Sequence, residues 1–217
     1  MAEREITLRA DGETIAATLG IPPASRGLII FAHGSGSSRH SPRNRFVARV
    51  LQQRGMATML LDLLTQREEE IDRVTATLRF DIALLARRIE LAREWCAEQA
   101  QLSALPIGYF GASTGAAAAL LAAAGRDDIY AIVSRGGRPD LAGPALAEVC
   151  APTLLIVGER DHTVIELNRR AASQISAPCE ISIVPGAGHL FEEPGALEQV
   201  ARIAQEWFAR YLTAKAT

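Results

Sequence analysis

Several things are scarce in this 217-residue sequence, and each scarcity excludes a class of protein. Cysteine occurs three times, at Cys96, Cys150 and Cys179, an odd number at wide intervals and in no metal-ligand pattern. That argues against a disulfide scaffold or a zinc module, and the three read as buried thiols in a reducing compartment. Uninterrupted apolar residues reach only nine, in "AAAALLAAA", far short of the roughly 20 that cross a bilayer. The opening "MAEREITLRADGETI" holds no apolar signal core, so export is not expected. Net charge is only −2, which offers no general attraction to nucleic acid or to an anionic membrane. Of 23 basic residues a single one, Lys215, is lysine, so no glycine-rich turn in the chain has a phosphate-binding lysine beside it. What remains is a cytoplasmic globular protein, one domain over residues 1–217, a monomer or homodimer, with no metal and no organic cofactor.

What is present is a rhythm. "REITLRA" and "ETIAATLG" read as two strands joined at Asp11-Gly12, a strong hairpin dipeptide. Six apolar runs follow: "GLIIFAHG", "MATMLLDL", "PIGYFGAS", "YAIVSRGG", "PTLLIVGE" and "EISIVPGA". Runs apolar at nearly every position suit strands buried on both faces, as in a parallel sheet. Helical periods separate them. Leu78, Ile82, Leu85, Ile89, Ala92 and Cys96 form one stripe, and Leu197, Val200, Ile203, Trp207 and Tyr211 another. "RNRFVARVLQQRG" starts after Ser41-Pro42 and stops at Gly55, while "QREEEIDR" reads as a solvated helix start. Strands alternating with helices imply right-handed crossovers and a doubly wound α/β sheet.

In such a sheet, ligands gather beyond the carboxyl ends of the strands. The loops expected there hold all four histidines, His33, His40, His162 and His189. They also hold "GASTG", where Ser113 stands between Gly111 and Gly115 at the passage from a strand to a helix. A sharp turn of this kind lifts a serine hydroxyl off the sheet edge, and the following Thr114 N–H lies at the positive end of the new helix. The competing reading is a glycine-rich turn of a nucleotide-binding fold, but the G-x-G-x-x-G spacing is missing. A serine nucleophile needs a base and the base needs an orienting acid. His189 in "PGAGHLF" and Asp161 in "GERDHTV" are the candidates. The bland alternatives are an exposed loop histidine and a helix N-cap, a task Thr163 could perform instead of Asp161. The order Ser, Asp, His is that of the α/β-hydrolase triad. The second oxyanion donor is assigned to the Ser35 N–H in "HGSGSS", with Gly34 the near alternative, and His33 is expected to brace that loop by a hydrogen bond.

Together, "FAHGSGSS", "GYFGASTG", "GERDH" and "GAGHLFEEPG" resemble the α/β-hydrolase superfamily, specifically its dienelactone-hydrolase-like branch, over almost the whole chain. "RHSPRNRFVA", "LRFDIALLARRI" and "VSRGGRPDLA" are similar to a bacterial subgroup whose members occur alone or joined to a phosphoribosyltransferase-like domain. The resemblance implies a mostly parallel eight-stranded sheet with helices on both faces. It implies Ser113 as nucleophile, Asp161 as acid, His189 as base, and Ser35 with Thr114 as oxyanion donors. Dienelactone hydrolases proper use cysteine where this chain has Ser113, which points to small-molecule carboxylic esters. Thioester hydrolysis, acyl transfer or cofactor-free perhydrolysis would use the same triad, and a ligand-binding module would keep the fold without the chemistry. Only "RPDLAGPALAEVCA" separates two of the strands, too little for a cap domain. Four arginines lie near the expected mouth: Arg39 and Arg43 after the oxyanion loop, Arg135 and Arg138 after "YAIVS". Ordinary surface charge or pairing with residues such as Asp140 accounts for them. The alternative is that one recognises an anionic substrate.

Overall fold

The computed structural model describes residues 3–212. Eight strands form one sheet in the order β1-β2-β4-β3-β5-β6-β7-β8. The strands are β1 (Glu3–Ala10), β2 (Glu13–Gly20), β3 (Leu28–Ala32), β4 (Ala57–Leu61), β5 (Ile107–Ala112), β6 (Ile129–Arg135), β7 (Thr153–Gly158) and β8 (Cys179–Val184). β2 runs antiparallel to both β1 and β4, and every pairing from β4 through β3 to β8 is parallel. The β1–β2 turn has positive φ at both Asp11 (52°) and Gly12 (84°), the backbone of a two-residue hairpin whose twist matches its strands.

The described residues form six α-helices, five of them between strands and the last after β8: α1 (Pro42–Gln53), α2 (Gln66–Thr75), α3 (Ile82–Ala97), α4 (Thr114–Ala123), α5 (His162–Ala172) and α6 (Ala196–Tyr211). The strand alternation decides what lies on each face. Leu28, Ile30 and Ala32 of β3 point into a core built with α3 and α4. Ile29 and Phe31 point into another made with α1 and α6. This two-sided burial is why the parallel strands read as unbroken apolar runs. Between β6 and β7 the described chain has only the 3-10 segment Pro139–Glu148, so nothing there roofs the sheet edge.

Some boundaries depart from the sequence reading. Leu78 belongs to a short 3-10 turn, Leu78–Phe80, and α3 begins only after Asp81, whose carboxylate accepts the Leu84 N–H. "QREEEIDR" is most of the separate helix α2, closed by a capping box between Thr65 and Glu68. Thr163 lies inside the first turn of α5 and Asp161 takes the N-cap position. Of the three cysteines Cys96 is buried, Cys179 half-buried, and Cys150 exposed at the end of the 3-10 segment; the expectation of three buried thiols holds only for Cys96.

Candidate active site

The turn at the end of β5 is tight. Ser113 has φ 51° and ψ −122°, a left-handed backbone uncommon for a residue with a side chain. The turn is possible because its neighbours are glycines. A Cβ on Gly115 would strike the Ala32 and His33 carbonyl oxygens, and one on Gly111 would strike the backbone of Ala116. Two hydrogen bonds anchor the turn to the end of β6 and the loop that follows it: Ser113 N–H donates to the Arg135 carbonyl (3.3 Å), and Arg138 N–H donates to the Ser113 carbonyl (3.1 Å). Ser113 occupies the N-cap position of α4, yet its side chain makes no capping bond. The Thr114 N–H, first in α4, has no acceptor inside the helix.

The acid and base arrive from β7 and β8. Their loops are bound together by Arg160 N–H to Ala187 O (2.9 Å) and Glu159 N–H to Val184 O (3.0 Å). The Glu159 carboxylate accepts the Gly186 N–H at 2.7 Å, and Glu193 accepts the Gly188 N–H at 2.9 Å. Those two acids hold the histidine loop from both sides; sequence reasoning missed them, because a lone Glu near a glycine carries no local signal. At the centre, Asp161 Oδ2 lies 2.6 Å from His189 Nδ1. Like Ser113, Asp161 sits at an N-cap position and does not cap its helix. With Nδ1 bonded to the acid, Nε2 is the nitrogen left for chemistry. The ring passes close to Gly136, where a Cβ would fall 3.7 Å from His189 Cε1 and 3.1 Å from the His189 carbonyl oxygen.

The loop after β3 completes the site. Gly34 packs against the serine: a Cβ there would come 2.9 Å from Ser113 Cβ. Ser35 and Thr114 are joined by a 3.0 Å hydrogen bond between their hydroxyls, which ties the two assigned donor residues together. The His33 ring holds this loop to the end of β4. Its Nδ1–H donates to Gly34 O (2.9 Å), and its Nε2 accepts the Leu63 N–H (3.2 Å). Desolvation pushes the His33 pKa below 6.5, against the pull of the Gly34 carbonyl and the charges of Asp62 and Glu69. A ring kept neutral in this way braces and is not placed to exchange protons. His40 and His162 are exposed.

Ser113, His189, Gly34, Ser35, Arg135 and Arg43 line one open cleft of about 260 Å³. On the other side of the oxyanion loop lies a second cavity of about 210 Å³, lined by His33, Leu63, Leu64, Leu85 and Thr114 among others. Two of the arginines singled out from sequence are engaged away from the cleft. Arg39 reaches Glu5 (3.0 Å) and Asp62 (2.5 Å), joining β1 to the end of β4. Arg138 forks onto Asp140 at 2.9 and 2.8 Å. Neither lines the Ser113 cleft; both are paired with carboxylates, Arg138 with Asp140 as the sequence reading preferred, and the alternative of substrate recognition has no support at these two positions. Arg135 does line it, buried, and its guanidinium is lowered to about 10 by desolvation first and by the Arg43 charge second.

A mostly parallel eight-stranded sheet with a strained serine turn after β5, an acid after β7 and a histidine after β8 defines an α/β-hydrolase. The comparisons with known proteins narrow this further. The model of the dienelactone hydrolase family matches residues 15–213, and the chain belongs to that family. A crystal structure of a dienelactone hydrolase from Anabaena variabilis superposes with a TM-score of 0.94 at 54% identity, over 97% of this chain and 98% of that one. Est1E from Butyrivibrio proteoclasticus shares the fold at a TM-score of 0.78 and 18% identity, over 95% of this chain and 98% of that one. A curated relative from Mycobacterium tuberculosis, named "Putative phosphoribosyl transferase", is 55% identical over 213 residues, 98% of this chain. The chain spans 47% of that relative's length. Among the described residues no helix is long and apolar enough to cross a membrane.

Proposed function

We propose that this hydrolase is a serine esterase acting on carboxylic esters of small molecules through an acyl-enzyme. One observation carries the reading: Asp161 forgoes the N-cap bond of α5 and bonds His189 Nδ1 instead, with His189 and Ser113 in the same cleft. A side chain serving only helix stability would take the cap. The name of the mycobacterial relative belongs to a protein of which this chain matches less than half, so it is not carried to this site.

The cycle follows from the arrangement. His189 Nε2 takes the Ser113 proton as Oγ attacks the ester carbonyl, and Asp161 stabilises the imidazolium without being protonated. The tetrahedral oxyanion is met by the Thr114 and Ser35 N–H groups, the first reinforced by the α4 dipole. Collapse expels the alcohol, which leaves with the proton from His189. Water then gives its proton to His189 and attacks the acyl-enzyme, and the acid departs as the proton returns to Ser113 Oγ. The cycle consumes ester and water and regenerates the side chains. The cleft is open and of modest volume, which favours compact substrates over long acyl chains.

A fluorophosphonate probe tests the assignment. Labelling at Ser113, abolished in Ser113→Ala together with a fall of roughly ten-thousand-fold or more in ester turnover, is the expected result. An unlabelled Ser113, or a Ser113→Ala protein with full turnover, means the fold is used for binding or for other chemistry. Matched esters and thioesters then rank the acyl-transfer alternatives.

A further inference from the structure

Esterase chemistry leaves one charge in the cleft unexplained. Arg135 closes β6 with only 7% of its surface exposed, and among the described residues it pairs with no carboxylate. Its Nη2 donates to the neutral Asn44 Oδ1 at 3.2 Å, its guanidinium carbon lies 6.0 Å from the Phe191 ring centre, and its Nε is buried with no hydrogen-bond partner. Arg43 of α1 lines the same cleft. Its one carboxylate contact is to Glu192, 3.4 Å away and largely exposed, and its Nε too is buried and unpartnered. Other buried or partly buried arginines are handled differently. Arg88 is held by Asp11 and Glu68 at 2.7 and 2.8 Å, Arg93 by Asp128 at 3.0 Å, and Arg79 by Asp72 at 2.6 Å. A buried guanidinium without a counter-charge is costly, and the Arg135–Arg43 pair bears that cost at the catalytic serine.

We propose that Arg135 and Arg43 form the seat of a phosphate group carried by the ester substrate. Two mutually repelling cations, countered only by the exposed Glu192 at 3.4 Å from Arg43, leave about one to two positive charges uncompensated, which a phosphate monoester of about −1.5 to −2 meets more fully than a single carboxylate. Its terminal oxygens also match the donor set: two guanidinium forks, the hydroxyls of Ser37 and Ser41 and the amide of Asn44, all lining the cleft. Because the seat and Ser113 share a cavity of about 260 Å³, phosphate and ester carbonyl must lie close together in one small molecule. The placement of the ester rests on the serine-esterase reading; the anion seat does not.

Calorimetry on Ser113→Ala protein in low-salt buffer tests this without hydrolysis, using inorganic phosphate and 3-phosphonopropionate as probes and glutarate as the carboxylate control. The expected result is that 3-phosphonopropionate binds at least tenfold tighter than glutarate, that inorganic phosphate competes with it, and that Arg43→Gln and Arg135→Gln each weaken it tenfold or more. Should Arg135→Gln fail to fold, Arg43→Gln, at a half-buried position in the first turn of α1, decides alone. Absence of phosphonate binding, or binding indifferent to Arg43→Gln, overturns the proposal, and glutarate binding equally well overturns the choice of phosphate. Ester turnover and probe labelling of the unmutated protein report separately on Ser113, so loss of the esterase reading and loss of the anion seat give different patterns.

Discussion

The starts of α1, α2 and α3 and the starts of α4 and α5 look alike in sequence and behave differently in the fold. In the first group the N-cap side chain does what its type predicts: Ser41 accepts the Asn44 N–H, Thr65 the Glu68 N–H, and Asp81 the Leu84 N–H. In the second group Ser113 and Asp161 stand at the same position and cap nothing. Each omitted cap forgoes on the order of 1 kcal/mol. Both belong to loops at the carboxyl edge of the sheet, where a side chain with no structural duty is available for a reaction. Facing the cleft does not by itself release a cap, since Ser41 lines the cleft and still caps α1; the two free side chains are the ones at the carboxyl ends of β5 and β7.

The comparison is broken most sharply at the two aspartates. Asp161→Asn is expected to lower kcat by about ten-thousand-fold, because an amide holds His189 in the wrong tautomer. Its melting temperature should stay close to that of the parent protein, since no cap is lost. A variant that keeps its turnover but melts early would show that Asp161 serves the helix. The next largest effect belongs to the turn itself. Gly115→Ala forces a methyl group into the Ala32 and His33 carbonyls, which are backbone and cannot swing aside. It is expected to cost more than about 3 kcal/mol, the upper end for overpacking, and to be seen as a large drop in the denaturation midpoint. An unchanged midpoint would mean that α4 and β3 are not in the close contact described.

Much of this was legible in the residues, for reasons that can be named. The hairpin was, because Asp11-Gly12 accommodates the positive φ its turn requires. The parallel strands were, because burial on both faces leaves a one-dimensional trace. The serine turn was, because small residues are compulsory on both sides of it. What depended on three-dimensional neighbours was hidden. Nothing local distinguishes Arg135, buried and lacking a carboxylate, from Arg138, three residues on and forked onto Asp140. The strand end turns one into the cleft while a 3-10 segment presents the other with an acid two residues away. Leu78 fitted the stripe of α3 by spacing alone, but Asp81 capped the helix after it. Glu159 and Glu193 were invisible because each holds a glycine N–H that only the folded loop brings near.

A smaller effect sharpens the comparison from the structural side. Asp81→Ala removes a working cap that does not line the cleft and should cost about 1 kcal/mol. In a chain of this length that is roughly 2–4 °C in melting temperature. Turnover at a temperature well below melting should be retained, the reverse of the Asp161→Asn pattern. Loss of activity without loss of stability at Asp81 would erase the distinction between the two groups of helices.

The two histidines of the site extend the contrast and yield the smallest effect. His189 commits one ring nitrogen and keeps the other for the cleft; His33 commits both to backbone, as donor to Gly34 O and acceptor from Leu63 N–H. A proton on His33 Nε2 would face the Leu63 N–H, donor against donor. Desolvation by burial holds its folded pKa below the value of 6.5 expected unfolded. Between those two values the unfolded chain binds a proton that the folded chain refuses, so the stability due to His33 is fully present above about pH 6.5 and is lost as pH falls below it. The loss proceeds by at most about 1.4 kcal/mol per pH unit until the folded pKa is reached. His33→Gln carries no titrating ring and should flatten the decline in melting temperature between roughly pH 6.5 and 5, while running parallel to the parent curve above pH 7. An identical acid-side slope in the two proteins would place the lost protons elsewhere and leave His33 a brace without a pH signature.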